Sequence, residues 1–245
     1  MLAASATGRA HLDGGLPCQD AHAFVQTGQA LVAVVCDGAG SAAHSDVGAQ
    51  QVSRSVATAL AAALQTGPLA LSDAALRPVI ETTLDNAREQ LTLQAARQGL
   101  NLSDYACTLV GVVAEPHGGW FFHIGDGVAA CVFQGDLPDA VSLPANGEYA
   151  NETWFVTSSD WREQLRLDRF EGAVQALVLM SDGVQPFAMA RGGDRLFAPF
   201  MTPVLRYLAD VDDAQGNQAL HATLADPRTD AITGDDKTLL IALSA

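Results

Sequence analysis

Apolar residues along this chain fall into two rhythms, and the rhythm changes mark the elements. Residues 20–25 and the continuous run Leu31–Cys36 (LVAVVC) predict two strands joined by a Thr27-Gly28-Gln29 turn. From about 45 to 65, Val52, Val56, Leu60 and Ala63 recur at spacings of three and four, which predicts a helix that Gly67-Pro68 ends. A second helix is predicted from Ser72 to Gln98, with Leu76, Ile80, Leu84, Ala87, Leu91 and Ala95 on one face. Ser72 would cap it and Gly99 stop it.

Short apolar runs then take over. Strands are predicted at 105–114, 120–124, 128–134, 153–158 and 175–181, with Gly118-Gly119 and Gly125-Asp126-Gly127 as hairpin turns. Helices at 195–209 and, more weakly, 213–224 precede a last strand at 237–243. Helical pairs set between hairpin-linked strands predict an α+β layered fold rather than repeating βαβ units. With neither an internal repeat nor a long linker, residues 1–245 read as a single domain.

Composition narrows the classes. Hydrophobic residues make up 49 % of the 245, enough for a sizeable core. The 28 acidic against 13 basic residues give a net charge of −15, which argues against nucleic acid or an anionic membrane as partner. Cys18, Cys36, Cys107 and Cys131 are scattered without C-x-x-C spacing. Buried free thiols in a reducing compartment are expected, and a cytoplasmic location with them. No run reaches the ~18 apolar residues of a membrane helix.

The chemistry lies in five acidic motifs: Gln19-Asp20, Asp37-Gly38, Gly125-Asp126-Gly127, Ser181-Asp182-Gly183 and Asp235-Asp236-Lys237-Thr238. Most stand at the end of an apolar strand, so a sheet core would carry several carboxylates to one edge. Gathered carboxylates repel and lose hydration, so they call for a cation among them. An oxygen-only donor set favours Mg²⁺ or Mn²⁺ over zinc. Each motif taken singly is also a common turn. A rival reading joins Gly38, Gly40 and Ala43 into a dinucleotide-binding fingerprint, but no Asp or Glu occurs between Asp46 and Asp73 to bind a ribose.

The motif order, together with Cys18-Gln19-Asp20-Ala21 and Cys107-Thr108, resembles the bacterial branch of the type 2C (PPM) metal-dependent protein phosphatases. The resemblance runs from Gly8 to Leu243. It implies a four-layer αββα sandwich, two antiparallel sheets flanked by helical pairs, with metals in a cleft at one edge. It implies two Mn²⁺ or Mg²⁺ ions sharing a hydroxide that attacks a phosphoserine or phosphothreonine ester. Asp37 would bridge them and the Gly38 carbonyl would ligate one. Asp182 and Asp235 would complete the first ion, and Asp20 would act on the second, through water. Asp126 with Asp182 could hold a weaker third. Asp236 stands where many relatives have Asn, so Asp235 ranks above it.

By the same resemblance Arg9 would bind phosphate through the His-Leu-Asp-Gly-Gly loop, and His11 or His22 would serve as general acid. His123 reads as a satisfied core or surface histidine. The chain departs from the family pattern at three places: Arg9 is eleven residues before Asp20, Pro186 replaces an acid, and Gly40-Ser41 alters a Gly-Gly pair. The implied partners are phosphorylated Ser/Thr proteins, with a bacterial Ser/Thr kinase or its targets. A regulatory pseudophosphatase is the alternative. A surface excursion containing Asn151-Glu152-Thr153-Trp154 and an exposed Trp161-Arg162-Glu163 is where substrate selection would be sought.

Overall fold

The structure is a computed structural model that describes residues 1–28, 30–65, 73–143 and 153–244. Gln29, the Gly67-Pro68 stop, the Ser72 cap and Asn151-Glu152 lie outside the described residues. Ten strands form two antiparallel sheets. The first joins β1 (Leu2–Ala6), β10 (Lys237–Leu243), β9 (Val174–Met180), β6 (Val128–Phe133) and β7 (Ala140–Ser142), in that order. The second joins β2 (Ala21–Thr27), β3 (Ala30–Cys36), β4 (Leu109–Glu115), β5 (Gly118–Ile124) and β8 (Arg166–Glu171). The helices are α1 (Arg9–Gly14), α2 (Ser45–Gln65), α3 (Asp73–Gln98), α4 (Trp161–Gln164), α5 (Gln185–Ala188), α6 (Ala198–Ala209), α7 (Asp213–Leu224) and α8 (Pro227–Asp230).

The continuous apolar runs follow from burial on both faces of a strand. Along β3, Val32, Val34 and Cys36 pack under α2 and α3, while Ala33 and Val35 turn inward to the other sheet. Along β9, Leu177 and Leu179 meet them there, and Val178 and Met180 face the opposite helical pair. The predicted stripe on α3 is buried throughout, from Leu76 to Ala95. On the other side, Met201 and Leu208 of α6 and Leu220 and Leu224 of α7 cover Leu2, Ala4, Leu239 and Ile241. The layer order is therefore α, β, β, α, as expected.

Both sheets are antiparallel and β3 pairs with β2 and β4, so the dinucleotide rival has no βαβ unit to stand on among the described residues. Other expectations are corrected. Gly125-Asp126-Gly127 is no hairpin: β5 lies in the second sheet and β6 in the first, and these residues carry the chain across. Residues 153–158 form no strand. Val156 donates one bond to the Cys107 carbonyl at 2.8 Å, and its own carbonyl is taken by the Arg88 side chain instead of a ladder partner.

Trp161 is buried, not exposed, with the Arg88 and Arg162 guanidinium groups over its ring. The loop expected after Arg9 is the helical turn α1. Strand β4 begins only at Leu109, because residues 102–105 coil into a 3₁₀ turn. The thiols of Cys36, Cys107 and Cys131 are buried and unpaired.

Candidate metal centre

The acidic motifs meet where the two sheets come together at one end. Their backbones touch, which explains two of the glycines better than turn chemistry does. A Cβ on Gly38 would lie 2.7 Å from the Gln19 carbonyl oxygen, and one on Gly183 would collide with the carbonyl of Asp236. The segments are then cross-tied. Asp236, almost fully buried, accepts from the Gly8 amide at 2.6 Å and from the Gln19 amide. Ser181 donates its hydroxyl to Asp20 Oδ2 at 2.7 Å and accepts from the Thr238 amide at 2.9 Å. Asp37 is clamped by Thr108: its amide donates to the Thr108 hydroxyl at 3.1 Å, and the Thr108 amide returns a 2.8 Å bond to its carbonyl.

Three carboxylates converge as a result. One oxygen each from Asp37, Asp126 and Asp182 lie within 4.8 Å of one another. Asp20 and Asp235 border the group: the charge of Asp20 acts on Asp37 and that of Asp235 on Asp182. Asp20 is buried and Asp235 exposed. Among the described residues, neither lysine nor arginine pairs with Asp20, Asp37, Asp126 or Asp182.

The electrostatics show the strain of that arrangement. Burial, then the charges of Asp20 and Asp182, push the Asp37 carboxyl well above the ordinary range. Burial pushes Asp20 up to about 7 against the opposing bond from Ser181. Asp182 is raised by burial and by Asp235. The cluster is short of positive charge, and Asp20 Oδ1, Asp126 Oδ1 and Asp182 Oδ1 are buried without a hydrogen-bond partner. Buried acceptors left so are rare in folded proteins, and a hard divalent cation is the group that oxygen donors of this kind satisfy.

The flanking residues sort themselves by distance and contact. Asp236 spends its oxygens on two amides and lies 2.9 Å from His11 Nδ1, whereas Asp235 is exposed and accepts only from the Asp236 amide at 2.9 Å. Arg9 is exposed, and its Nε donates to Asp13 at 2.9 Å. His22 Nδ1 lies 3.2 Å from the Ser5 hydroxyl, outside the carboxylate group. His123 is fully buried beside Ser142, so it is a core histidine as anticipated. Two residues were not foreseen. Thr153 donates to Asp126 Oδ2 at 2.7 Å, and Gln185 Nε2 donates to the Asp126 carbonyl at 2.6 Å. Neither carries a local sequence signal, because both contacts depend on the tertiary fold.

A family model described as Protein phosphatase 2C matches residues 7–225. The chain belongs to the protein phosphatase 2C family. It is 32 % identical over 256 aligned residues to Serine/threonine-protein phosphatase 3 of Escherichia coli (strain K12), covering 100 % of this chain and 98 % of that one. In fold it is similar to a bacterial serine phosphatase at a TM-score of 0.65 and 14 % identity, over 98 % of this chain and 96 % of the other. The serine/threonine phosphatase Stp1 from Staphylococcus aureus aligns at a TM-score of 0.61 and 15 % identity, over 100 % and 96 %. The family is metal-dependent, which accords with the unsatisfied carboxylates. Asp235 and Asp236 lie beyond the family match but within the alignment to the E. coli relative.

Proposed function

We infer that this chain hydrolyses phosphoserine and phosphothreonine esters in proteins, with divalent cations held by Asp20, Asp37, the Gly38 carbonyl, Asp126, Asp182 and Asp235. The observation that carries this reading is the convergence of Asp37, Asp126 and Asp182, with buried oxygens of Asp20, Asp126 and Asp182 that no hydrogen bond satisfies among the described residues. The ions would be Mn²⁺ or Mg²⁺, two held firmly, with Asp126 and Asp182 able to hold a weaker third. When bound, they would neutralise the phosphate and lower the pKa of a water.

The chain's own residues do the positioning. Thr108 fixes the main chain of Asp37, Ser181 orients Asp20, and Asp236 pins the strand entry at Gln19, so the ligands stand ready before the cation arrives. Arg9 is the phosphate contact. Its pair with Asp13 is an exposed i,i+4 pair worth only ~0.3–0.5 kcal/mol, so a phosphate displaces it cheaply. His11 Nδ1 lies 2.9 Å from Asp236 without hydrogen-bond geometry, and its Nε2 is the atom that would give a proton to the leaving serine or threonine oxygen. No feature of the site favours a non-catalytic binding module.

Residues 1–245 act as one domain, consistent with the inner core that both sheets share. Targets of a Ser/Thr kinase are the natural substrates. Among the described residues no helix is long and apolar enough to cross a membrane, and with the unpaired buried thiols this supports a cytoplasmic place.

The test is hydrolysis of p-nitrophenyl phosphate and of a phosphothreonine peptide, with and without Mn²⁺, beside Asp37→Asn. Turnover that needs both the metal and Asp37 is expected. A folded, Mn²⁺-loaded protein that turns over neither compound would overturn the reading.

A further inference from the structure

Asp126 and Asp182 reach the centre from the ends of two paired strands, Asp126 on the crossing that enters β6 and Asp182 just past β9, with Val128 opposite Met180 as the last rung between them. One residue grips the main chain of both. The Gln185 side-chain amide donates to the Asp126 carbonyl at 2.6 Å, while its main-chain N–H donates to the Asp182 carbonyl. We propose that Gln185 is a positioning residue that fixes the spacing of Asp126 and Asp182 and thereby sets the affinity of the cation these two share. The inference rests on the metal-binding role proposed above for that pair.

The need for such a brace follows from local chemistry. Asp126 stands between two glycines, and Gly125 has a φ of +102°, so the crossing has little backbone stiffness of its own. Asp126 adds its charge to the forces on both Asp37 and Asp182, so the three carboxylates repel. A segment that pliable would relax outward unless held. Thr153 restrains one oxygen of the Asp126 side chain, and the β6–β9 ladder stops at Val128 and Met180; beyond that last rung Gln185 ties the Asp126 carbonyl to the segment bearing Asp182. The neighbouring Pro186, exposed, stands where an acid was expected and makes no such tie. Residues that orient metal ligands without touching the ion typically cost ten- to hundredfold in metal affinity when lost.

The experiment is Mn²⁺ titration of the full chain, followed by electron paramagnetic resonance and calorimetry, in wild type, Asp126→Asn, Gln185→Met and Gln185→Ala. Folding is checked by circular dichroism. Gln185→Met keeps the length and removes the donor. Both Gln185 variants are expected to weaken, by about tenfold, the binding step that Asp126→Asn abolishes, with the remaining steps changed less than about twofold. Weakening in Gln185→Ala but not in Gln185→Met would assign the effect to side-chain volume and overturn the proposal. So would equal weakening of every step, or an unchanged step in both variants. If Asp126→Asn left every step intact, the metal role of Asp126 would fall and this inference with it. An unchanged titration in the Gln185 variants alone would leave that role standing.

Discussion

Two polar clusters, each anchored on buried side chains, lie within this fold, and they resolve the same problem in opposite ways. In the first, His123, Ser142, Asp168 and Arg166 join β5, β7 and β8. The Ser142 hydroxyl lies 2.7 Å from His123 Nε2 and donates to Asp168. Arg166 contacts both the histidine ring and the Leu143 carbonyl. Charges of both signs are present, and the hydrogen bond from His123 helps hold Asp168 down at about 2. In the second, Asp20, Asp37, Asp126 and Asp182 face one another without a basic partner among the described residues, and the carboxyl groups of Asp20, Asp37 and Asp182 are pushed upward. A buried charge set that balances itself belongs to the scaffold, and one that does not is waiting for a ligand.

The sharpest way to break this contrast is to remove one member of each cluster. Asp37→Asn should cut Mn²⁺-dependent phosphate-ester hydrolysis by about a thousandfold, since the loss of one ligand removes several kcal/mol of charge stabilisation. The same substitution should raise the melting temperature of the chelated protein, because it relieves repulsion. A lowered melting temperature there would mean that the cluster is not frustrated. In the balanced cluster the sign reverses. His123→Ala should cost about 3 kcal/mol in urea unfolding, leaving Asp168 and Arg166 without their buried partner. A change below the error of that experiment would show that the network contributes nothing to stability.

Acidity separates the two regions next. Asp20 is held up at about 7 in the fold against ~3.9 unfolded, so its contribution to stability is present below about pH 4 and is lost as pH rises through about 7. Asp168 is depressed, so its contribution is present above about pH 4 and is lost as pH falls through about 2. Chelated wild type should therefore lose about 3 kcal/mol more than Asp20→Asn between pH 4 and 7, with the difference vanishing in saturating Mn²⁺. Parallel stability curves for the two chelated proteins would contradict the assignment. The smallest effect distinguishes the neighbours Asp235 and Asp236. Asp236→Asn should cost about 1–2 kcal/mol through the Gly8 and Gln19 amides, while Asp235→Asn should leave urea unfolding unchanged and weaken Mn²⁺ binding.

Legibility in the sequence followed the range of the interactions. Strands buried on both faces, such as β3 and β9, and the helix stripe on α3 declare themselves by local pattern. The four carboxylates Asp20, Asp37, Asp182 and Asp235 could be named because they sit beside such strands. Strand β8 (RLDRFE) escaped notice since an edge strand with charged residues has no apolar run, and β1 (LAASA) is built of small residues that reveal their role only when paired with β10. The 153–158 segment looked like a strand because Trp154, Phe155 and Val156 are apolar, yet its carbonyls bond to Arg88. Gln185 and the amide-binding role of Asp236 were hidden for a similar reason: each acts on a residue distant in the chain.

The tie between Asp236 and Gly8 spans 228 residues, so the cleft closes only when β1 has found β10. Contacts of such separation are entropically the dearest to form and are made late on a folding pathway. Strand β1 bears none of the carboxylates, yet loosening it would let go of Gly8, slacken Asp236, and free the entry to Asp20. A proteolytic cut or a competing strand there would silence the centre from a distance, leaving every carboxylate in the chain untouched.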